Sequence, residues 1–591
     1  MRQKKVIVPL ILFLNLCLIA DISNAQPFKP AGQAKAFYSN IPDSAIELIN
    51  NAIPEMAVVS PEKSRKLLVF NMDIWNGEIR AGHPSVPYAN YMLQLMGKKT
   101  GAYEAYFSND TMVFQSAYLN QFDAICFNNT VGVLFEDPGL RNNLLEYVYS
   151  GKGFFGIHAA GATFCQWPVY DQFPEFGEML GGFENGGHPW KPHEWITLKM
   201  DESSHPINRA FEGKGFDVSD EVFQFSEPYS RDRLRILLAI DTDKTDMSKE
   251  RRILPERRAD KDIAISWIRN YGRGRVFYTS LGHNAHINWN EKVLVHYLDG
   301  IQFLLGELDA PATPSNKLTP AVEAREKLGW RLGLSAYSFK NNSLFETIDK
   351  AASLGLLYLD GLNVQRVSDE IKGNFDYTLS EDDLIAVRRK FLSAGVTLVS
   401  YYIHDIPADE ETCRKIFEFG RKMGIETFIS EPGPEALDLI EEYCEKYHIK
   451  LAIHNHGKDI SPVYWNPENL LEVCQERSPL IGACGDIAYW SRSGISPLAA
   501  VKLLGDRLIT VQMHDLDKAG PEGHDVAWGK GELELDAIIR HLGMNGVKPS
   551  LFGLEYSLDW DQERPEIKQS IEYFNDVCIR MAGAHQAGTN K

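Results

Sequence analysis

Two periods alternate along most of this chain. Short apolar runs of strand length give way to longer stretches in which apolar residues recur with helical spacing. In the C-terminal half the short runs are RLGLSAYSF, YLDGLNV, VTLVSYYIH, ETFISEP, LAIHNHG, LIGACGDIAYW, LITVQMHDLD and LFGLEYS. Amphipathic stretches such as SEDDLIAVRRKFLSAG and EALDLIEEYCEKYH lie between them. Eight strands with helical crossovers predict a (β/α)8 barrel over residues 328–583.

The N-terminal half opens on RKLLVFNMD and continues through QFDAICFNNT and GKGFFGIHAAG, which read as buried strands ending in turns. Their alternation with helices predicts a flavodoxin-like α/β layered domain over 65–307. Between the halves, GELDAPATPSNKLTPAVEAREK is rich in Pro, Ala and Thr and carries little periodicity, so 308–327 reads as a linker. Residues 26–64 read as a leader, with one amphipathic helix expected in SAIELINNAIPEM.

The first 25 residues change the compartment rather than the fold. A basic start (Arg2, Lys4, Lys5), an apolar run from Val6 to Ala20, and small residues at Ser23 and Ala25 predict a cleaved export signal, hence a periplasmic or secreted protein. The apolar run is too short to span a bilayer, and no later segment is long and apolar enough, so membrane insertion is not expected. The whole chain of 591 residues has 61 basic and 80 acidic side chains. Without residues 1–25 the balance is 58 against 79, or −21. With no basic run after the signal, nucleic acid and anionic lipid are poor partners. Seven cysteines remain, an odd number without a CxxC pair. Cys126, Cys474 and Cys484 lie in apolar stretches and read as buried thiols, not as a disulfide frame or a zinc cluster.

The barrel prediction gives the polar residues a meaning, because chemistry in such barrels sits at the C-terminal ends of the strands. Glu431, His454, His456, Asp486, His514, Asp515 and Glu555 all fall there. Strand alternation points His454 and His456 to one side. Each residue alone could be a satisfied rim side chain, and Glu431 could simply favour a following helix N-terminus. As a set they point to a metal or proton-transfer site. Imidazole with carboxylate suits Mn, Co or Zn better than Ca, and Mg stays open.

From GLSAYSF to GLEYS this half resembles the xylose isomerase-like barrels of sugar isomerases and epimerases. The resemblance implies a divalent cation held by residues of strands five to eight. GDIAYW supplies Asp486, VQMHDLD supplies His514, and GLEYS supplies Glu555. LAIHNH stands where relatives often read like LALENH, so His454 takes a Glu position. Tyr489 replaces a common His. The first change makes the site one unit more positive and removes one carboxylate of an epimerase pair. Glu431 or His456 is the candidate replacement base. GHDVAWGKGELELDAII resembles a loop that reaches the substrate, giving His524 and Trp528. Tyr337, Tyr464, Trp465 and Trp490 are further candidates for packing on a sugar face.

In the N-terminal half, GHPSVPYAN, GKGFFGIHAA, HPINRAF, SDEVFQF and YGRGRVFYTSLGH resemble the trehalose-utilisation (ThuA-like) family, a relative of class I glutamine amidotransferases. His158 stands where amidotransferases carry the elbow cysteine, and Cys165 lies too far along to replace it, so no thioester chemistry is expected. His158 remains a candidate base or ligand, with His83, Glu221 and His283 as companions. Both resemblances imply carbohydrate substrates. Together they imply a metal-dependent enzyme acting on keto-sugars or 3-keto-glycosides through an enediolate, as a lyase or hydratase. A sugar isomerase or epimerase is the nearest alternative, and a non-catalytic carbohydrate-binding protein is the third. A homo-oligomer is left open.

Overall fold

The structure, a computed structural model, describes residues 34–184, 187–248, 252–558 and 565–589. The expected export signal lies outside the described residues. In the leader, a helix forms over Asp43–Ala52 and buries Ala45 and Ile49.

The N-terminal half is built on a nine-stranded sheet. Five strands run parallel, in the order Glu104–Ser108, Lys66–Phe70, Ala124–Asn128, Gly153–Ile157 and Gly274–Thr279. Pleating sends Leu67 and Val69 to one face and Leu68 and Phe70 to the other, and each face carries its own apolar core. Burial on both faces is why these strands are apolar throughout.

Beyond Gly274–Thr279 the sheet departs from the flavodoxin pattern. Ala264–Tyr271, Arg235–Ile240, Trp195–Met200 and Phe216–Ser219 extend it antiparallel. The switch of direction happens at a tight turn through Gly272, whose φ is +60°. A side chain there would meet the Tyr149 carbonyl oxygen at 2.4 Å, so glycine meets both demands.

The C-terminal half is a closed eight-stranded barrel: Leu332–Ser335, Tyr358–Leu362, Thr397–Tyr402, Thr427–Ser430, Lys450–His454, Ile481–Asp486, Leu508–Met513 and Phe552–Leu554. All neighbours are parallel, and the first strand closes on the last. Leu451 and Ile453 face the helical shell, whereas Ile429, Ala452, Cys484 and Ile509 form a small inner cluster. The same alternation turns His454 and Asp486 inward at the rim.

The segment read as a linker is ordered and stitched to both halves. Ser315 donates its N–H to the Leu234 carbonyl at 2.8 Å and accepts from the Ile236 N–H at 2.9 Å. Buried Arg235 donates to the Thr313 carbonyl at 3.0 Å and faces Glu326 at 3.4 Å. A helix over Pro320–Leu328 starts at Thr319, whose hydroxyl caps the Val322 N–H, and packs against the terminal helix Pro565–Thr589. Composition hid this helix because its only fully covered positions are Ala324 and Arg325.

All seven described cysteines are free and buried. No helix among the described residues is long and apolar enough to cross a membrane.

Candidate functional site

The sixth barrel strand ends at Asp486, which also caps the helix Ile487–Arg492 by accepting from the Tyr489 N–H at 2.8 Å. One carboxylate oxygen is thereby fixed, and the other faces His514 Nε2 at 3.6 Å and His454 Nε2 at 3.8 Å. Asn455 holds the fifth and sixth strand ends together, accepting from the Asp486 N–H at 2.9 Å and donating to its carbonyl at 3.0 Å. The residue between the two histidines of HNH is therefore a clamp.

His514 follows the seventh strand. Its Nδ1 donates to Asp525 at 2.6 Å, and Asp525 is held in turn by Ser557 at 2.6 Å. That bond leaves the buried Nε2 without a hydrogen-bond partner, 3.8 Å from Glu555. Glu555, after the last strand, accepts from the Ser335 hydroxyl at 3.0 Å. Asp486, His514 and Glu555 thus converge, with ligand atoms all within 4.8 Å of one another. A cation with bonds of about 2.0–2.2 Å to N and O needs ligand–ligand edges of about 3.4 Å. The observed spacings and the bare Nε2 fit such an ion, with the carboxylate behind His514 setting the imidazole tautomer.

His454 and His456 share a second cluster with Glu431, which ends the fourth strand. His454 Nδ1 lies 3.4 Å from Glu431, and His456 Nδ1 hydrogen-bonds to the same oxygen. The two rings are 4.4 Å apart. The other ring nitrogen of His454 contacts Gln512 at 2.6 Å, and Gln512 reaches buried Asp360. His454 therefore stands between the two clusters, joining the Asp486 triad through one nitrogen and Glu431 through the other.

The electrostatics follow from four carboxylates, Glu431, Asp486, Asp525 and Glu555, packed around imidazoles. Burial alone would lower the His454 pKa, but the facing Asp486 and Glu431 carboxylates overcome it and raise it to about 10. His514 is likewise raised against burial by Asp525 and Asp486. Burial opposes ionisation of Asp486 and Glu431, yet the facing histidines pull both well below the usual carboxylate range. Burial pushes Glu555 up to about 7, with His514 opposing and Asp486 reinforcing the rise.

A pH prediction follows. Because the folded-state pKa of His454 is above its ordinary 6.5, its stabilising contribution is full below pH 6.5 and lost as pH rises through about 10. A cation must displace protons to bind, so affinity should rise with pH over this window. Calorimetry at neutral pH in two buffers of different ionisation enthalpy should show proton release; binding with no release would contradict this charge assignment.

The remaining barrel candidates separate. Tyr337 is half-buried after the first strand, and Tyr489 lies 4.8 Å from the His456 ring. Trp490 is fully buried against Gly485 and cannot stack on a sugar. Trp528 and Tyr464 are also core residues, with Trp528 edge-on to Phe574 and the Tyr464 hydroxyl donating to the Pro432 carbonyl. Replacing Trp490 with alanine should cost about 3–5 kcal/mol of stability, as for other buried aromatic truncations, measurable by denaturant unfolding. Trp465 is half-buried beneath Lys458. His524 is exposed and faces Asp517, not the clusters. Asp515 is a loop anchor, accepting from the N–H groups of Gly529, Gly531 and Leu533. Sequence reading missed Tyr402, 5.7 Å from the His454 ring, and His404, 3.9 Å from Glu431. Both belong to the third run, VTLVSYYIH, whose end carried the same rim signal.

In the N-terminal half, His83, His158 and His283 meet with ring centroids 5.2–5.4 Å apart. Glu221 lies 3.9 Å from His158 Nε2 and 3.7 Å from His283 Nε2. His188, absent from the sequence reading, lies 3.6 Å from Glu221. Burial and the neighbouring imidazoles lower the His83 pKa to about 4. Cys165 is buried, and its thiol donates weakly to the Thr163 carbonyl, which fits its exclusion as a nucleophile.

Comparison with known proteins separates the same two halves. Residues 71–304 match the family described as trehalose utilisation, ThuA, and residues 348–577 match the family described as xylose isomerase-like TIM barrel. An uncharacterized protein of Sinorhizobium fredii, y4fM, is 20% identical over 272 residues, covering 45% of this chain and 75% of its own. A crystal structure of an uncharacterized Parabacteroides distasonis protein is 30% identical, covering 42% of this chain and 99% of its own, with a TM-score of 0.36. A D-tagatose 3-epimerase-like protein is 18% identical, covering 43% and 99%, with a TM-score of 0.35.

Proposed function

This chain belongs to the ThuA trehalose-utilisation family through residues 71–304 and to the xylose isomerase-like TIM barrels through residues 348–577, and from that premise we propose that it is an exported, metal-dependent enzyme acting on keto-sugars or 3-keto-glycosides. The observation that carries the reading is the pairing, across His454, of the Asp486–His514–Glu555 triad with the Glu431–His456 pair. Asp486, His514 and Glu555, with His454 beside them, would hold Mn, Co or Zn. When bound, such an ion would polarise substrate oxygens and ease removal of the proton on the carbon between them.

The chain's own residues account for the proton traffic. Glu431 takes the proton from the carbon next to the keto group. His456, part-exposed at the rim, gives its proton to the departing oxygen as the carbon–oxygen bond breaks. The products are an enone and an alcohol. The hydrogen bond between Glu431 and His456 then returns the proton to the imidazole. Addition of water is the reverse path. Acceptor and donor lie on one side, which suits elimination or hydration. Tyr402 and Tyr489 offer aromatic faces beside this pair.

A second reading, isomerisation or epimerisation, is favoured by the match of residues 348–577 to the xylose isomerase-like TIM barrels. Metal-stripped protein reloaded with Mn, Co or Zn and given 3-keto-glucosides and free ketoses separates these readings. Alcohol release supports the lyase. Deuterium entry from solvent without bond cleavage supports the isomerase or epimerase. Sugar binding with neither, for every metal, leaves a carbohydrate-binding protein and removes the enzyme proposal. The working compartment proposed is the periplasm or cell exterior, with a small carbohydrate as the partner.

A further inference from the structure

We propose that His83, His158 and His283, completed by Glu221, bind one transition-metal ion such as Zn2+, Co2+ or Ni2+ in the N-terminal half, separately from the barrel site. The three imidazoles present ligand nitrogens within 4.8 Å of one another. Glu221 Oε1 lies 3.7 and 3.9 Å from two of them, close to the edge of about 3.4 Å that tetrahedral Zn–N and Zn–O bonds require.

His158 supplies the decisive observation. It is fully buried, and its Nδ1 donates to the Ser280 carbonyl at 2.8 Å. That bond fixes the tautomer and leaves Nε2 as a bare lone pair aimed into the cluster, without a hydrogen-bond partner. A buried polar atom left unmatched is costly, and a metal–ligand bond removes the cost. His158 also sits at φ +44°, an unfavourable backbone for a residue with a side chain. The Tyr278 hydroxyl holds the His158 carbonyl at 2.7 Å, and Phe223 stacks on its ring. His83 Nδ1 is a second buried nitrogen without a partner.

The other ligands are positioned by loops tied to one another. Buried Asp220 accepts from the Gly282 N–H at 2.7 Å and the Asn284 N–H at 2.8 Å, bracketing His283. The Ser85 hydroxyl donates to the Gly282 carbonyl at 2.8 Å, joining the His83 loop to the His283 loop. His188 stands 3.6 Å from Glu221 and is the most exposed member, so the ion would face solvent on that side. Three neutral nitrogens with one carboxylate select a borderline metal over Mg2+ or Ca2+.

The test uses full-length protein stripped with chelator, dialysed against Zn2+ and analysed for bound metal. A barrel variant carrying Asp486→Asn and His514→Gln should keep one ion, with Co2+ giving the absorption of a four-coordinate nitrogen-rich site. Adding His83→Gln and His283→Gln should remove that ion, weakening Zn2+ binding beyond the roughly 10–100-fold typical of losing an outer partner. A barrel variant that binds no metal overturns the proposal without requiring the histidine variants to fold. So does an unchanged ion count in folded histidine variants. A wild-type chain holding one ion, lost only with His83 and His283, would keep this proposal and remove the barrel reading.

Discussion

Asp486→Asn is expected to abolish metal binding in the barrel and to lower turnover of a keto-glycoside by roughly 1,000-fold or more, since a Lewis-acid cation supplies several kcal/mol of charge stabilisation. The substitution isolates that effect. Asparagine is as good a helix cap as aspartate, so the bond to the Tyr489 N–H is retained. What disappears is the negative charge facing His454 and His514. The variant should therefore stay folded, with a lower midpoint because two buried histidines lose their facing carboxylate, while the barrel ion and activity disappear together. Metal analysis and steady-state kinetics on the same preparation decide the matter: full activity once the barrel ion is lost would end the metal-dependent reading.

Glu431→Gln should behave differently. It removes the carboxylate that accepts from His456 and faces His454, but leaves Asp486, His514 and Glu555 intact. Turnover should fall by about 100- to 10,000-fold, the range for losing a positioned general base, while the barrel retains its cation. His456→Gln should cost a similar factor. The double variant should be little worse than either single one, because residues that pass one proton between them act as a unit. Additive losses would show that they serve separate steps, and a wild-type rate in Glu431→Gln would exclude it as the base.

What the sequence revealed follows from geometry. Barrel strands are covered inside and out, so their runs are apolar to the end, and a polar residue at the tip has few places to point. Glu431, His454, Asp486, His514 and Glu555 were legible for that reason. Direction is harder to read once the chain leaves the strand. Tyr489 and Trp490 are neighbours on one helical turn, yet Tyr489 reaches His456 and Trp490 enters the core. Only the way that helix sits on the barrel decides between them. In the N-terminal half, His188 follows a glycine-rich stretch with no period to orient it, so its approach to Glu221 is purely tertiary. The antiparallel extension was equally hidden. Trp195–Met200 and Phe216–Ser219 carry mixed burial rather than continuous apolar runs.

The ordered joint between the halves has a practical meaning for dissection. Ser315 is part of the edge of one domain, whereas Pro320–Leu328 is part of the outer wall of the other. A barrel begun at 328 would expose the terminal helix that Pro320–Leu328 covers, and an N-terminal fragment ended at 307 would leave Arg235 without the Thr313 carbonyl and Glu326. A cut between Lys317 and Thr319 keeps the Thr313 and Ser315 contacts on one piece and the Pro320–Leu328 helix with the terminal helix on the other. Even there, Arg235 and Glu326 end up on separate pieces, and Arg235 is left with Glu202, in its own half, as its carboxylate partner.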